Sequence, residues 1–236
     1  MNALLVRVGA DQSAAGGSWN GLVDGRTGRF VYVPIPEARE VRAGLEKPFG
    51  AIEPALDSFG RDLPAHLRGR GMHLDPDFEQ LTYGDKGERA KQLRAGLGRG
   101  DAILFYAGLA DVRGASRLVY ALVGILVVDE MVAAVDVPRE QWDSNAHCRR
   151  VLADGASDII VRGRAGDSGR LQRCLPIGEY RDRAYRVRRD LLDEWGGLSV
   201  KDGYLQRSAR LPRFLDASRF MRWFESQGPV LLQANN

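Results

Sequence analysis

Two stretches carry side chains suited to chemistry that needs only water and protein groups. Residues 72–83 place His73, Asp75, Asp77 and Tyr83 in a loop punctuated by Pro76 and followed by Gly84. Pro76 pushes Asp75 into an extended conformation, so Asp75 and Asp77 are expected to flank a turn rather than share a helix face. The second stretch, residues 9–21, follows a first apolar strand and aims Asp11, Gln12 and Asn20 from a glycine-bearing loop that bends tightly. A carboxylate at the end of a core strand can stabilise developing positive charge and orient a water. Each stretch also has a plain reading, the first as an acidic turn and the second as a connection in which Asp11 makes an Asx turn.

Other chemistries find little support. The chain has two cysteines and three histidines, with no C-x-x-C and no H-E-x-x-H, so no metal centre is expected. His147 beside Cys148 offers a base next to a thiol, but a buried inert thiol is the commoner state of such a cysteine. The glycines at 96, 98 and 100 follow a helix rather than a strand, the reverse of a dinucleotide loop, and there is no G-x-x-x-x-G-K-[ST]. No cofactor is expected.

Charge is unevenly spread along the 236 residues. The net +3 conceals a basic half, residues 139–222, where 17 Arg and 1 Lys face 12 acidic residues, beside a more acidic N-terminal half. Such an asymmetry suits a polyanion held by one part while chemistry occurs in the other. Within the basic half, Asn145, His147, Arg149 and Arg150 form a second polar cluster of types that read base edges and phosphates. Arg164 and Arg170 stand in or beside a glycine-rich loop, which is either a phosphate contact or a solvated hairpin tip. Tyr204 offers an aromatic platform beside Gln206 and Arg207.

The elements that position these groups are legible in outline. Residues 4–8 read as a buried strand, 30–36 as an edge strand ended by prolines, and 37–70 as short helices and loops. Asp85 with Glu88 resembles a capping box, opening a helix to Leu97 with Ala90, Leu93 and Leu97 inward and Gly98 as its stop. Residues 102–107 and 118–128 are two apolar strands, most simply antiparallel, with Gly124 marking a bulge or bend. Strands are expected at 158–161 and 173–177, an Arg-rich helix over 180–195, and a closing helix over 216–227 anchored by Phe220, Trp223 and Phe224. The whole predicts one α+β domain over 1–236, with a mixed, strongly curved, partly barrel-like sheet flanked by helices. The apolar run of 11 residues at 118–128 is too short to span a bilayer and no secretory signal is seen, so a cytoplasmic protein is expected, most simply a monomer.

Several motifs carry a family resemblance. The runs M-H-L-D-P-D-F-E at 72–79, G-D-A-I-L-F-Y-A-G-L at 100–109, L-V-Y-A-L-V-G at 118–124, N-A-H-C-R-R at 145–150 and R-V-G-A-D-Q at 7–12 resemble the third family of nucleotide-modification-associated domains. The resemblance covers nearly the whole chain. It implies a partner of double-stranded DNA carrying unusual bases, in phage or bacterial modification or defence loci. The chain also looks like a defence DNA glycosylase acting on sugar-decorated cytosines, and its strands resemble PUA-like readers of modified bases, which have no catalytic role.

Group transfer would need a donor site, and zinc-dependent deamination would need ligands not seen. Cleavage of an N-glycosidic bond needs a carboxylate beneath a sugar that gains positive charge as an extruded base leaves. Asp11 is the first choice, then Asp75 and Asp77, with His73 polarising the leaving base and Gln12, Asn20, Tyr83 and Tyr106 reading it. The four lysines lie in no apolar setting that would make a nucleophilic amine, so a monofunctional glycosylase leaving abasic sites is expected. A non-catalytic reader of modified DNA, or a component of a base-modification pathway, is the alternative.

Overall fold

The computed structural model describes residues 1–114, 116–205 and 209–236. The chain opens with β1 (Ala3–Arg7) and the short pairings β2 (Leu22–Val23) and β3 (Ile35–Pro36), then passes α1 (Glu53–Asp57) to β4 (Met72–His73), β5 (Thr82–Asp85) and α2 (Gly87–Gly96). Two long strands follow, β6 (Ala102–Asp111) and β7 (Val119–Ala133). Beyond them come α3 (Ala146–Arg149), β8 (Ile159–Gly163), β9 (Gly169–Pro176), β10 (Gly178–Arg181), β11 (Ala184–Val187), α4 (Arg189–Trp195), α5 (Ala217–Ser226) and β12 (Leu231–Leu232).

β6 and β7 organise the rest. They pair antiparallel, and almost every residue of β6 and of the first two thirds of β7 is buried, as expected of strands covered on both faces. β1 lies parallel to β6 on its other edge, from Ala3 opposite Ala102 to Arg7 opposite Tyr106. Along its far edge β7 meets β9 with its first half and β8 with its second. The Arg164 N–H donates to the Val127 carbonyl and the Val127 N–H to Ser168 Oγ, so residues 164–168 leave and rejoin this edge between the two strands. β5 then pairs with β8, which carries the sheet round to the segment bearing Asp75. The eight-stranded sheet is mixed and does not close into a barrel.

The bend expected at Gly124 is there. The β6–β7 register slips between Phe105 and Tyr106, leaving Val123 without an opposite residue. A Cβ on Gly124 would lie 2.3 Å from the Phe78 ring, so the glycine lets that ring sit on the β7 backbone. Phe78 meets Tyr32 and Phe105 edge-on, with centroids 5.5 and 5.7 Å away. These aromatic contacts clamp the segment just after Asp75 onto the sheet, each contributing about 0.5–1.5 kcal/mol beyond area burial.

Three sequence expectations are corrected. Residues 180–187 are not helical: β10 and β11 form a hairpin whose turn places Asp182 and Arg183 at φ 50° and 61°, and the helix starts only at Arg189. That turn needs positive φ at both central residues and usually signals itself with Asn-Gly; Asp-Arg gives no such signal. Asp85 does not cap α2. It ends β5, and its carboxylate takes the Lys86 N–H and the Tyr83 hydroxyl. The stretch 30–36 is strand only at β3, with Phe30 in an isolated bridge to Val23. The closing helix matches its expectation: Asp216 accepts the Arg219 N–H at its N-cap, Phe220 and Trp223 are buried against Trp195, and Phe224 is buried beside Phe220. No helix of the described residues is long and apolar enough to cross a membrane.

Candidate active site

A cavity of about 360 Å³ opens where β1 ends, between β4, β5 and α3. Arg7, Val8 and Gly9 form one wall, His73 and Asp75 its floor, Gly84, Asp85 and Arg89 the side of β5 and α2, and His147 with Arg150 the side of α3. Its size lies within the range of small-ligand sites. Exposed Arg39 and Lys86 stand at the mouth.

Asp75 is the centre of the arrangement. His73 and Asp75 are two positions apart on extended chain, a spacing that sends both side chains to one side. The Tyr32 hydroxyl donates to the Asp75 carbonyl at 2.8 Å and fixes the backbone from the sheet side. Oδ1 of Asp75 accepts from the Gly84 N–H at 2.8 Å and from Asn145 Nδ2 at 2.9 Å. Oδ2 faces the histidines, 3.7 Å from His147 Nε2 and 4.0 Å from His73 Nε2. The rings meet edge to face with centroids 5.0 Å apart.

Each ring is fixed from behind by a carboxylate. His73 Nδ1 lies 2.9 Å from Glu37 Oε2, and Glu37 is itself gripped by a forked Arg150, with Nη2 at 2.7 Å and Nε at 3.0 Å. His147 Nδ1 lies 2.5 Å from Asp158 Oδ1. A carboxylate that only accepts obliges both Nδ1 atoms to carry the hydrogen, which leaves Nε2 of a neutral ring as the lone-pair nitrogen.

Burial sets the charges. It pushes the Asp75 carboxyl up to about 7, against the pull of His147 and the hydrogen bonds from Gly84 and Asn145. It pulls His73 down to about 4, more than the Glu37 hydrogen bond restores, so this ring is neutral near pH 7. Burial would also raise Glu37, but the hydrogen bonds from His73 and Arg150 outweigh it and hold the carboxyl far below the usual carboxylate range. Asp158 is lowered in the same way, burial being overcome by His147. Burial keeps the Tyr83 phenol protonated well beyond pH 10, so it donates to Asp85 while Arg89 Nη2 donates to it. Carboxyls and a histidine displaced from their ordinary values by burial and named partners, in a cleft, mark a candidate active site.

The sequence candidates divide. His73, Asp75 and Tyr83 line the cavity, and His147, expected on the DNA side, joins them. Asp77 lies behind the floor, paired with Arg149 and bonded by Asn235 Nδ2. Asp11 is folded into its own loop, where Oδ1 accepts the N–H and hydroxyl of Ser13, and Oδ2 is 3.6 Å from Arg7. It therefore touches a wall residue of the cavity without being one. Gln12 bonds Asn20, and Asn20 bonds the Gly108 carbonyl, tying that loop to β6. Tyr106 is buried in the sheet near Tyr120.

Most groups expected to reach DNA are turned inward. Asn145 is fully buried, its Oδ1 capping α3 and its Nδ2 holding Asp75 and Thr82. Arg149 and Arg150 are buried against Asp77, Asp143 and Glu37. Arg170 is buried over the Phe30 ring and donates to the Ala234 carbonyl. Arg164 is half exposed and paired with Asp167, and Tyr204 is exposed with Arg186 over its ring. Gln206 and Arg207 lie outside the described residues.

Sequence reasoning missed Glu37, Asp158, Arg89, Arg39 and Lys86, none of which stands in a motif. The H-x-D at 73–75 was the available signal for a paired His and carboxylate.

Comparison with known proteins places this geometry in a family. No curated protein and no solved structure matches the chain. The family model described as nucleotide modification associated domain 3 matches residues 2–217, a span that includes β1, the H-x-D segment, the α3 histidine and Asp158. With nearly all of its length so matched, cavity included, the chain belongs to the nucleotide modification associated domain 3 family.

Proposed function

We propose that the cavity is the active site of a DNA glycosylase, which receives a hypermodified base extruded from phage DNA and releases it by hydrolysis, with Asp75 rather than Asp11 as the working carboxylate. One observation carries this reading: a carboxylate oxygen that takes no hydrogen bond from the described residues and faces two carboxylate-backed histidines, at the floor of a cavity with cations at its mouth. In the reaction, a water oxygen at Asp75 bonds to C1′ of the sugar as the C1′–N bond breaks. The bonding pair leaves on the base nitrogen, which takes a proton from solvent, and the water proton passes to Asp75. The positive charge that builds on the sugar is next to that carboxylate, where low polarity strengthens the attraction.

Family membership supports an association with nucleotide modification, and the Arg39 and Lys86 rim supports a phosphodiester at the entrance. Tyr83 and Arg89 stand where an extruded base would meet a ring and a guanidinium. Arg164 and Tyr204 remain exposed for contact with flanking DNA.

The test is incubation with DNA containing glucosylated hydroxymethylcytosine, and with plain DNA, followed by alkali. Strand breaks confined to the modified DNA, with none before alkali, are the expected result. Tight binding without breaks makes the protein a reader of modified bases, and a heavier nucleoside made from an added donor makes it a modifying enzyme.

A further inference from the structure

We infer that His73, Asp75 and His147 are the protein ligands of one divalent transition-metal ion whose remaining coordination positions face the cavity. The inference rests on placing the reactive centre in this pocket, and adds to it the group that holds the attacking water.

The geometry comes first. One ligating atom from each residue, Nε2, Oδ2 and Nε2, lies within 4.8 Å of the other two. The two measured to Asp75 Oδ2 are 3.7 and 4.0 Å. Bonds of about 2.0–2.2 Å to a common ion draw such atoms to roughly 3–3.5 Å apart. Each ligand therefore has to move by less than about an ångström.

The chemistry of the donor set is the second argument. Both Nδ1 atoms are committed to Glu37 and Asp158, so it is Nε2 of each ring that presents a lone pair in the neutral, ligating form, and Asp75 Oδ2 is a third acceptor. Among the described residues no N–H or O–H reaches into the triangle. Three acceptors converging on the cavity floor repel one another unless something positive lies between them. A proton on Asp75 satisfies only one nitrogen, and a single water has two hydrogens for three acceptors. A dication satisfies all three.

The surrounding shell suits the same ion. Ligating histidines characteristically give their other N–H to a carboxylate, which fixes the ring and raises its basicity. Here both rings have that backing, and the carboxylate behind His73 is in turn locked by Arg150. Asn145 and the Gly84 N–H hold Asp75 by Oδ1, leaving Oδ2 to bind. Two imidazoles and one carboxylate favour iron(II), cobalt(II) or zinc over magnesium or calcium. Three protein ligands with an open side are the pattern of a catalytic rather than a structural ion. Such an ion makes its bound water a nucleophile at neutral pH. The missing C-x-x-C and H-E-x-x-H concealed this, because the third ligand comes from α3, far along the chain.

The test uses the full chain without DNA, stripped by a chelator and titrated with cobalt(II), read by calorimetry and by visible absorption. About one ion per chain, with the ligand-field bands of a nitrogen and oxygen site and a raised melting temperature, is expected. His73→Ala and His147→Ala should each abolish the bands, and Glu37→Gln should weaken binding about 10–100-fold. Arg99→Ala, at an exposed pair with Asp129 away from the cavity, should change nothing. A wild-type titration with no saturable binding, or bands that persist in the His73→Ala/His147→Ala double variant, overturns the assignment. The wild-type titration decides alone if the variants fail to fold. Cobalt bound without base release from modified DNA leaves the metal site standing and removes the glycosylase reading. Release at full rate by chelator-stripped protein leaves the glycosylase reading standing and overturns the ion's part in holding the attacking water.

Discussion

A Cβ on Gly84 would lie 2.4 Å from Cδ2 of His147, so the β5 backbone and this imidazole touch with no room for a side chain between them. The same glycine gives its N–H to Asp75. Position 84 therefore sets the distance between the carboxylate and the second histidine, although it carries no functional group.

Gly84→Ala should push the His147 ring away from Asp75. Overpacking of this kind costs about 1–3 kcal/mol, which leaves a domain of this size folded. Turnover should fall at least about tenfold, because a displacement of an ångström is enough to lose near-attack geometry. Melting curves beside rates on modified DNA check this. Normal turnover with a normal melt would show that the ring has freedom the packing denies.

Arg150 and Glu37 make a buried forked pair, and removing one partner strands the other's charge. Arg150→Ala should cost about 3 kcal/mol in urea unfolding, and Arg150→Lys should recover only part of it, since an ammonium cannot fork. A loss under about 1 kcal/mol for the alanine variant would mean that solvent reaches Glu37.

Asp101 fixes the start of β6 by accepting the Asn2 N–H at 2.6 Å and the Gly98 N–H at 2.9 Å. Burial is the largest single influence and opposes its charge, but the hydrogen bonds from Asn2 and Gly98 together prevail and its carboxyl is lowered. A lowered folded-state value means stability present above the unfolded carboxyl value, near 4, and lost as pH falls through the folded one. Asp101→Asn should therefore be less stable than wild type by about 1 kcal/mol at pH 7, with the gap closing as pH falls below the unfolded carboxyl value. A gap that stays constant with pH would exclude the charge as its cause.

These cases also show where the sequence was readable. β6 and β7, α2 and α5 announced themselves because apolar runs and periodicity are local properties, although the cap expected of Asp85 was not there. The β10–β11 hairpin did not, because its left-handed turn is built from Asp182 and Arg183 rather than glycine or asparagine. In the site, His73 and Asp75 stood out by type, and Tyr83 with them. Glu37 and Asp158 did not, since their roles come from pairings with His73 and His147 across the fold, and an isolated acid gives no sign of a distant partner. Composition misled in the basic half. Arg149, Arg150 and Arg170 count as cations in any charge sum, but they are buried against acids, carbonyls or rings, leaving Arg39 and Lys86 from the acidic half at the cavity mouth.

If those two residues meet phosphates, Arg39→Ala and Lys86→Ala should each weaken binding alike on modified and plain DNA. Each should also lower the salt dependence of affinity by about one ion. Fluorescence anisotropy across a salt series measures both effects. A loss confined to modified DNA would instead place the residue against the base.

Asp75→Asn and Asp11→Asn decide which carboxylate works. In Asp11→Asn, Oδ1 still accepts from Ser13, so the loop should keep its shape and turnover should stay within a few-fold of wild type. In Asp75→Asn, Oδ1 still accepts from Gly84 and Asn145, while an amide N–H₂ takes the place of Oδ2 and faces the two Nε2 lone pairs. The variant relieves a cluster of acceptors and should melt no lower than wild type, yet it has lost the group that takes a proton or binds an ion. Turnover should fall by at least about 10²-fold with DNA affinity intact. Stability kept or gained while activity disappears is the mark of a residue retained for function against the interest of the fold. The opposite pattern, Asp11→Asn inactive and Asp75→Asn active, would return the chemistry to the loop after β1.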